Sequence, residues 1–280
     1  MKQNFDLKKH LCNLILGALF LTCAPFSASA QKIITLDDQL SANSEMMPVK
    51  RKAGTGMMKY LFGEFAVIST KNKDNNIRNV ESRDTIDSSQ ELTLSRYKEE
   101  IWGQTEEHQN FVFLGNQTDS ILVNMTTLFN FNSSLYSENQ ANSREEMNII
   151  KNSNERFVAF LTPTDGMPSW VVEMDTQLGK EVNAPGGILC SGQMTDGSVK
   201  IEIQSVREWS NGKSSMLFPI LGFKFIKDGT CLAAVQSSRN AGSKKYVWIQ
   251  NDLQKELRLI LASAATTLMA MVDNQVLRMN

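Results

Sequence analysis

Apolar and polar residues alternate along much of the chain, a pattern typical of antiparallel strands that bury one face. The clearest example is residues 199–203, where Val199, Ile201 and Ile203 are separated by Lys200 and Glu202. The pattern predicts a sheet that is covered on one side and faces water on the other.

The dipeptide Asp196-Gly197 predicts a hairpin, because a two-residue type I′ turn needs positive φ at both central positions. Counting outward from this turn pairs Thr195 with Ser198 and places Cys190 on the buried face. The register therefore predicts which side chains of this hairpin reach the core.

A second dipeptide, Asp228-Gly229, predicts another turn of the same type. Counting outward pairs Ile226 with Cys231 and leaves Cys231 on the face opposite the phenylalanines. The residues that share the other face are Phe223, Phe225, Leu232 and Ala234.

Helical spacing of apolar residues begins only near the end of the chain. Asn251 or Asp252 can cap a helix there, and Gln254 stands in the capping-box position relative to Asn251. The pattern predicts a helix over about 252–272 that packs on a sheet face, where the small side chain of Ala233 or Ala234 allows close approach. Its apolar stripe is Leu253, Leu257, Ile260, Leu261, Ala264, Leu268 and Met271.

Residues 259–272 of this predicted helix carry no charge. As a helix this run would span about 21 Å, which is short of the roughly 30 Å hydrocarbon core of a membrane. The second half is apolar nearly all round, since Leu259, Ala262, Met269 and Ala270 lie off the stripe. Such a helix is buried on more than one side. Either the sheet wraps it, or a protein partner or a second copy covers its far face.

The fold class predicted from these patterns is α+β, with antiparallel β-hairpins in one or two sheets and a long C-terminal helix on a sheet face. Residues 31–55 are polar and predict a flexible N-terminal segment. Residues 56–280 form the β-rich globular region, which a polar stretch near 132–155 could subdivide. Two hairpin-like stretches about 46 residues apart resemble each other (near Phe111 and Phe157) but are short enough for chance similarity.

The first thirty residues are typical of a secretory signal peptide. A basic start precedes an apolar run at 11–26, and Ala28 and Ala30 occupy the positions favoured before a cleavage site. We therefore expect cleavage between Ala30 and Gln31 and export to the periplasm or the extracellular space. A lipoprotein signal ending at Cys23 is disfavoured by Phe20 and Thr22, and the apolar run is too short for a membrane anchor.

The charge balance argues against a nucleic-acid partner. The chain has 29 Lys and Arg against 30 Asp and Glu, a net charge of −1, and the two signs are interspersed. Export would leave Cys190 and Cys231 in an oxidising compartment, where either a disulfide between them or two buried free thiols is allowed.

The sequence lacks the residues and motifs that several kinds of catalysis require. After signal removal His108 is the one remaining histidine, and it stands in a polar stretch with no nucleophile motif nearby. The sequence contains no phosphate loop, dinucleotide fingerprint, CxxC or HExxH motif. We therefore expect no cofactor, no metal site and no catalytic residue, and we favour a protein that is not an enzyme.

Carboxylates are the exception, because glycoside hydrolysis needs only two of them about 5 to 10 Å apart. Glu173 and Asp175 would share a face of one strand, and Trp170 and Trp209 could stack on sugar rings. The simpler interpretation is that Glu173 and Asp175 belong to the solvent face of a sheet.

Three functions are compatible with these patterns. The favoured one is an exported, non-catalytic protein that binds a ligand or partner at the cell envelope. The alternatives are a carrier of an apolar ligand in a β-shell cavity and a carboxylate-based glycan hydrolase. An apolar cavity would favour the carrier, a tryptophan-lined groove with two carboxylates the hydrolase, and a filled core the binding protein.

Overall fold

The computed structural model describes residues 32–53, 58–72, 76–87, 95–115, 119–140, 143–179, 188–214, 220–237 and 244–278. The predicted signal peptide and its expected cleavage site at Ala30 and Gln31 lie outside these residues. The chain divides into Met1–Ile33 and Ile34–Asn280, and the description below concerns the second unit.

Antiparallel strands make up most of this unit, and a long helix stands at its C-terminal end, as predicted. The helix covers Lys255–Arg278 instead of 252–272, so the predicted caps Asn251 and Asp252 lie in the turn before it. The elements in chain order are α1 (Asp38–Asn43), β1 (Ser44–Pro48), β2 (Lys50–Ala53), β3 (Met58–Phe62), β4 (Phe65–Asn72), β5 (Asn76–Asp87), β6 (Ser95–Gly115), β7 (Asp119–Gln140), β8 (Ser143–Pro163), β9 (Trp170–Gly179), β10 (Ile188–Thr195), β11 (Lys200–Val206), β12 (Gly222–Lys227), β13 (Thr230–Gln236), β14 (Tyr246–Gln250) and α2 (Lys255–Arg278).

All the described strands belong to one sheet, where the sequence allowed one or two. Its order is β1-β14-β13-β12-β11-β10-β9-β8-β7-β6-β4-β3-β2, and β5 pairs with β6 off this path. Most neighbours are hairpin partners that follow each other in the chain. Local turns therefore account for most of the topology.

The two ends of this sheet meet in a single extended segment, residues 44–53, which we call the closing strand. Its first half, β1, pairs with β14, and its second half, β2, pairs with β3. Only Val49 separates the two halves. The closing strand therefore connects β14 with β3, and the sheet curls around an interior.

Helix α2 occupies that interior. It contacts β7 and β8 on one side and β13 and β14 on the other, and these pairs stand far apart in the strand order. The four off-stripe residues, Leu259, Ala262, Met269 and Ala270, are all buried. The expectation that the helix packs on one face is therefore corrected, because the sheet surrounds it, and the apolar run at 259–272 is core.

Residues 32–53, for which composition predicted a flexible segment, contain α1 and the closing strand. Ile34 and Leu40 are fully buried, and the Ile34 N–H donates to Gln236 Oε1 at 3.1 Å. Helix α1 contacts β13 and β14, so this segment covers their outer face. That cover explains why every residue of β14 is buried although α2 touches only one side.

The hairpin at Asp196-Gly197 forms, but its turn is longer than the sequence predicted. Thr195 pairs with Lys200 instead of Ser198, because the Asp196 carboxylate accepts hydrogen bonds from the Ser198 and Val199 N–H groups. This Asx-type loop shifts the register by two residues. A shift of two keeps each side chain on its predicted face, so Cys190 is still buried.

The hairpin at Asp228-Gly229 has the predicted turn, with φ of 51° and 78° at the two residues. Ile226 pairs with Cys231 as expected, but a β-bulge follows and shifts the ladder by one residue. Phe225 and Phe223 are therefore opposite Ala233 and Val235, where we expected Leu232 and Ala234. The bulge thus places Ala233 on the face toward the helix.

The polar stretch near 132–155 lies within two long strands. β7 runs over Asp119–Gln140 and β8 over Ser143–Pro163, paired with each other along their length. β9 joins β8 only from Asn152 onward, toward Leu161. The remaining ends of β6, β7 and β8, with β5, form a four-stranded antiparallel ribbon.

Candidate interaction surface

Exposed large hydrophobic residues concentrate on the outer face of the sheet between β3 and β9. Four of them, Leu61, Ile68, Leu122 and Phe160, have exposed fractions of 37%, 48%, 42% and 50%. Each precedes or follows buried residues on its strand, because alternate side chains of a strand point to opposite faces.

The pairing register connects these residues into one surface, which we call the outer strip. Its members are the four exposed residues and the half-buried Ala66, Val112, Leu114 and Val171. Leu61 pairs with Ala66 and Ala66 with Leu114, while Val112 pairs with Leu122. Phe160 pairs with Val171 and lies diagonally from Leu122, within reach of a cross-strand contact.

The outer strip is bordered by polar contacts on both sides. Toward the β6–β7 turn, the hydroxyls of Ser120 and Thr164 lie 2.9 Å apart. In the opposite direction His108 contacts Glu106 at 3.2 Å and Thr126 at 3.0 Å. An apolar patch with a polar rim is typical of a protein interaction site.

A third border runs along β8 and β9. Arg156 lies 3.6 Å from Glu173, and the second carboxylate oxygen of Glu173 accepts a hydrogen bond from Gln193 at 3.3 Å. At the β3–β4 border, the Lys59 ammonium donates to the Ile68 carbonyl. Ile68 is the extra residue of a β-bulge, and this bond holds it on the surface.

The four residues considered for glycan contact do not come together. Glu173 and Asp175 lie on the outer face of β9, whereas Trp170 points inward and is only 7% exposed. Trp209 is half-buried in a separate bridge with Ile34. The geometry thus supplies a carboxylate pair on the outer face without either of the two predicted tryptophans on that face.

Cys190 and Cys231 are both buried, and neither is joined in a disulfide within the described residues. They lie on β10 and β13, which are three strand spacings apart in the sheet, or roughly 14 Å. A disulfide requires Cα atoms within about 7 Å, so this structure does not bring the two thiols into bonding position.

The environment of Cys231 also argues against thiol chemistry. Burial, together with the nearby Asp37 carboxylate, raises the pKa of Cys231 to about 12. Although burial opposes it, the Lys224 ammonium at 3.1 Å lowers the pKa of Asp37. The three groups fasten the segment before α1 to the outer face of β12 and β13, and the thiol stays protonated.

A second polar cluster lies beneath the closing strand. The Asp273 carboxylate on α2 accepts hydrogen bonds from Tyr60 Oη at 2.7 Å and from Lys245 Nζ at 2.8 Å. Burial raises the pKa of Tyr60 well above its ordinary value and lowers the pKa of Lys245 despite the neighbouring carboxylate. We call this cluster the Asp273 bridge, and sequence patterns did not reveal it because its members are far apart in the chain.

The outer strip was also missed from sequence, although a signal for it was present. Phe157 and Phe160 are three residues apart in one strand-like stretch, so their side chains must point to opposite faces. Phe157 is buried and Phe160 is half exposed. Strict application of the two-residue period would have singled out Phe160.

Other kinds of site have less support. In the part of the chain that the structure covers, no three His, Cys, Asp or Glu side chains are placed to hold a metal ion, and no helix is long and apolar enough to cross a membrane. The sequence matches no family model, no curated protein and no solved structure.

Proposed function

We propose that this is an exported, non-catalytic protein that binds a protein partner at the cell envelope through the outer strip. The observation that carries the proposal is the outer strip, which places apolar side chains on six neighbouring strands and leaves four large ones at least one-third exposed. Polar Asn124 and Thr162 lie among them, on β7 and β8. Burying those side chains against a partner would contribute about 25 cal/mol for each Å² of apolar area removed from water.

The filled interior favours this function over an apolar-ligand carrier. The space that such a carrier would use is occupied by α2, whose residues 259–272 are all buried. Binding is then left to the outside of the sheet. A protein surface suits the strip, because an apolar patch with a charged and polar rim matches the usual anatomy of protein interfaces.

The proposal can be tested by photo-crosslinking in cells that produce the full chain. A photoreactive phenylalanine analogue would replace Phe160 or Leu122, and the control would place it at Gln204, which is exposed on β11 away from the strip. We expect a discrete adduct with a second protein from the two strip positions and none from Gln204. The intact mass of the exported protein should correspond to a chain that begins at Gln31.

Three results would count against the proposal. Equal adducts at Gln204 and Phe160 would mean that the strip has no special role. An adduct of twice the protein's own mass would show that the strip binds a second copy of this chain and not a different protein. A product that retains residues 1–30 would remove the expectation of cleavage and export by this signal.

A further inference from the structure

We propose that the closing strand is a gate in the shell and that the Asp273 bridge holds it shut. The bridge joins α2 to both neighbours of the closing strand. Tyr60 belongs to β3 on one side, and Lys245 directly precedes β14 on the other. One carboxylate therefore ties together the two parts of the sheet that the closing strand connects.

Each half of the closing strand has fewer neighbouring strands than most strands of the sheet. Within the described residues, β1 pairs with β14 and β2 with β3, so each half has one neighbour, whereas β13 has both β12 and β14. Pro48 stands just before the point where the strand changes partner and has no N–H to donate. Residues 50–53 are all exposed, so little apolar burial holds this half in place.

Lys245 couples this strand to the helix through two different bonds. Its carbonyl accepts a hydrogen bond from the Val49 N–H at 3.0 Å, at the junction of β1 and β2. Its ammonium, with a side chain only 1% exposed, is paired with Asp273. Movement of Lys245 would therefore disturb both its backbone bond to Val49 in the closing strand and its contact with Asp273 on the helix.

The buried charge of Lys245 determines where the sheet would open if the Asp273 charge were lost. Without the Asp273 charge, the Lys245 ammonium would be buried beside no carboxylate of the bridge, a costly arrangement. Arg51, which is opposite Tyr60 on β2, adds positive charge to the same region. Because the Lys245 carbonyl is bonded to the Val49 N–H, rehydration of the Lys245 ammonium would displace the closing strand, and we expect the strand to separate there. The apolar side of α2 would then reach solvent at this point.

Hydrogen-exchange mass spectrometry of the full chain at neutral pH tests the gate, with Asp273→Asn as the main variant. We expect exchange in residues 44–53, 58–62 and 244–250 to accelerate roughly tenfold or more, the effect of losing a hydrogen bond to a charged group, while β9 to β12 keep their protection. The matched control is Asp119→Asn, which removes the exposed ion pair with Lys255 near the other end of α2. That control should leave the closing strand unchanged.

Two further variants keep the test decisive if Asp273→Asn folds poorly. Tyr60→Phe removes one arm of the bridge with little change in volume and should give a smaller acceleration in the same two segments. Adding Lys245→Met to Asp273→Asn removes the unpaired ammonium and should restore much of the protection. Uniform acceleration across all strands, no acceleration at the closing strand, or the same pattern in Asp119→Asn would overturn the proposal.

Discussion

Individual side chains connect the helix to the sheet, and burial disfavours the charged form of two of them, Lys245 and Tyr60. Lys245 keeps its ammonium beside Asp273, but burial lowers its pKa, so desolvation outweighs the attraction of the carboxylate. Tyr60 donates to the same carboxylate, and burial together with that negative charge raises its pKa. The bridge therefore specifies where α2 sits at some cost in stability.

These two shifts predict opposite changes of stability at alkaline pH. Below its ordinary pKa of 10.5, the unfolded Lys245 binds more protons than the folded one, so its contribution to the free energy of unfolding rises as the pH approaches that value. Above pH 10.0 the unfolded Tyr60 ionises while the folded one does not, so stability falls. The measurement is urea unfolding from pH 7 to 11. The rise of the unfolding free energy with pH should be smaller in Lys245→Met than in wild type, and its fall above pH 10.0 should be smaller in Tyr60→Phe. Curves of wild type and variants that stay parallel would contradict both assignments.

At the scale of elements, sequence patterns located the helix and both Asp-Gly hairpins because the signals for them are local. The turn at Asp228-Gly229 was correct down to its first two residue pairs, since both positions adopt the positive φ that Asp-Gly favours. The bulge after Ile226 was not predictable, because it depends on packing against neighbouring strands. The hairpin at Asp196-Gly197 differs from the predicted register because the Asp196 side chain accepts a hydrogen bond from the Val199 N–H, which favours a longer turn.

The closing strand illustrates what periodicity cannot show. Within β1 only Met47 is buried, and within β2 no residue is, so neither half has an alternating apolar pattern. Its order comes from backbone pairing with β3, the next strand in the chain, and with β14, near the other end of the chain. The long strands β6 to β8 were missed in part for the same reason, because their outer halves are rich in Asn, Ser and Glu.

The contact between α2 and the β6–β7 turn gives a prediction at this scale. A Cβ added at Gly115 would lie 2.5 Å from Leu259 Cδ1, so Gly115→Ala should destabilise the protein by about 1–3 kcal/mol through overpacking. Leu259→Ala alone should cost about 2–5 kcal/mol. Because each change relieves the other, the double variant should be less destabilised than the sum, by at least about 0.5 kcal/mol in denaturant unfolding. Strict additivity would mean that α2 does not approach β6 as described.

At the scale of the whole molecule, the sheet and the helix bury each other's apolar surface. A helix that is apolar nearly all round needs cover on every side, and a sheet with one apolar face needs something to enclose. The sequence already required cover on more than one side of α2, but it could not say whether the chain itself or a partner supplied it. The answer depended on the closing strand, which periodicity did not detect.

The outer strip follows from the same arrangement. Since the inner faces of the strands are used by α2, any binding surface of the sheet must lie outside, where Leu122 and Phe160 are exposed. The account of function therefore depends on the claim that the sheet surrounds the helix.

Two alanines on opposite sides of α2 test that claim most directly. Ala262 and Ala264 are both fully buried, and they point about 200° apart around the helix. Ala264 belongs to the predicted apolar stripe and Ala262 does not. The measurement is the denaturant midpoint of Ala262→Glu and Ala264→Glu, with Glu256→Ala at an exposed helix position as the control.

If the sheet surrounds the helix, each glutamate buries a carboxylate without a partner. Both variants should then lose about 4 kcal/mol or more, or fail to fold, while Glu256→Ala stays within about 0.5 kcal/mol of wild type. A stable Ala262→Glu protein beside an unfolded Ala264→Glu protein would contradict the account, because it would show that the helix lies on one face of the sheet with its other side in water.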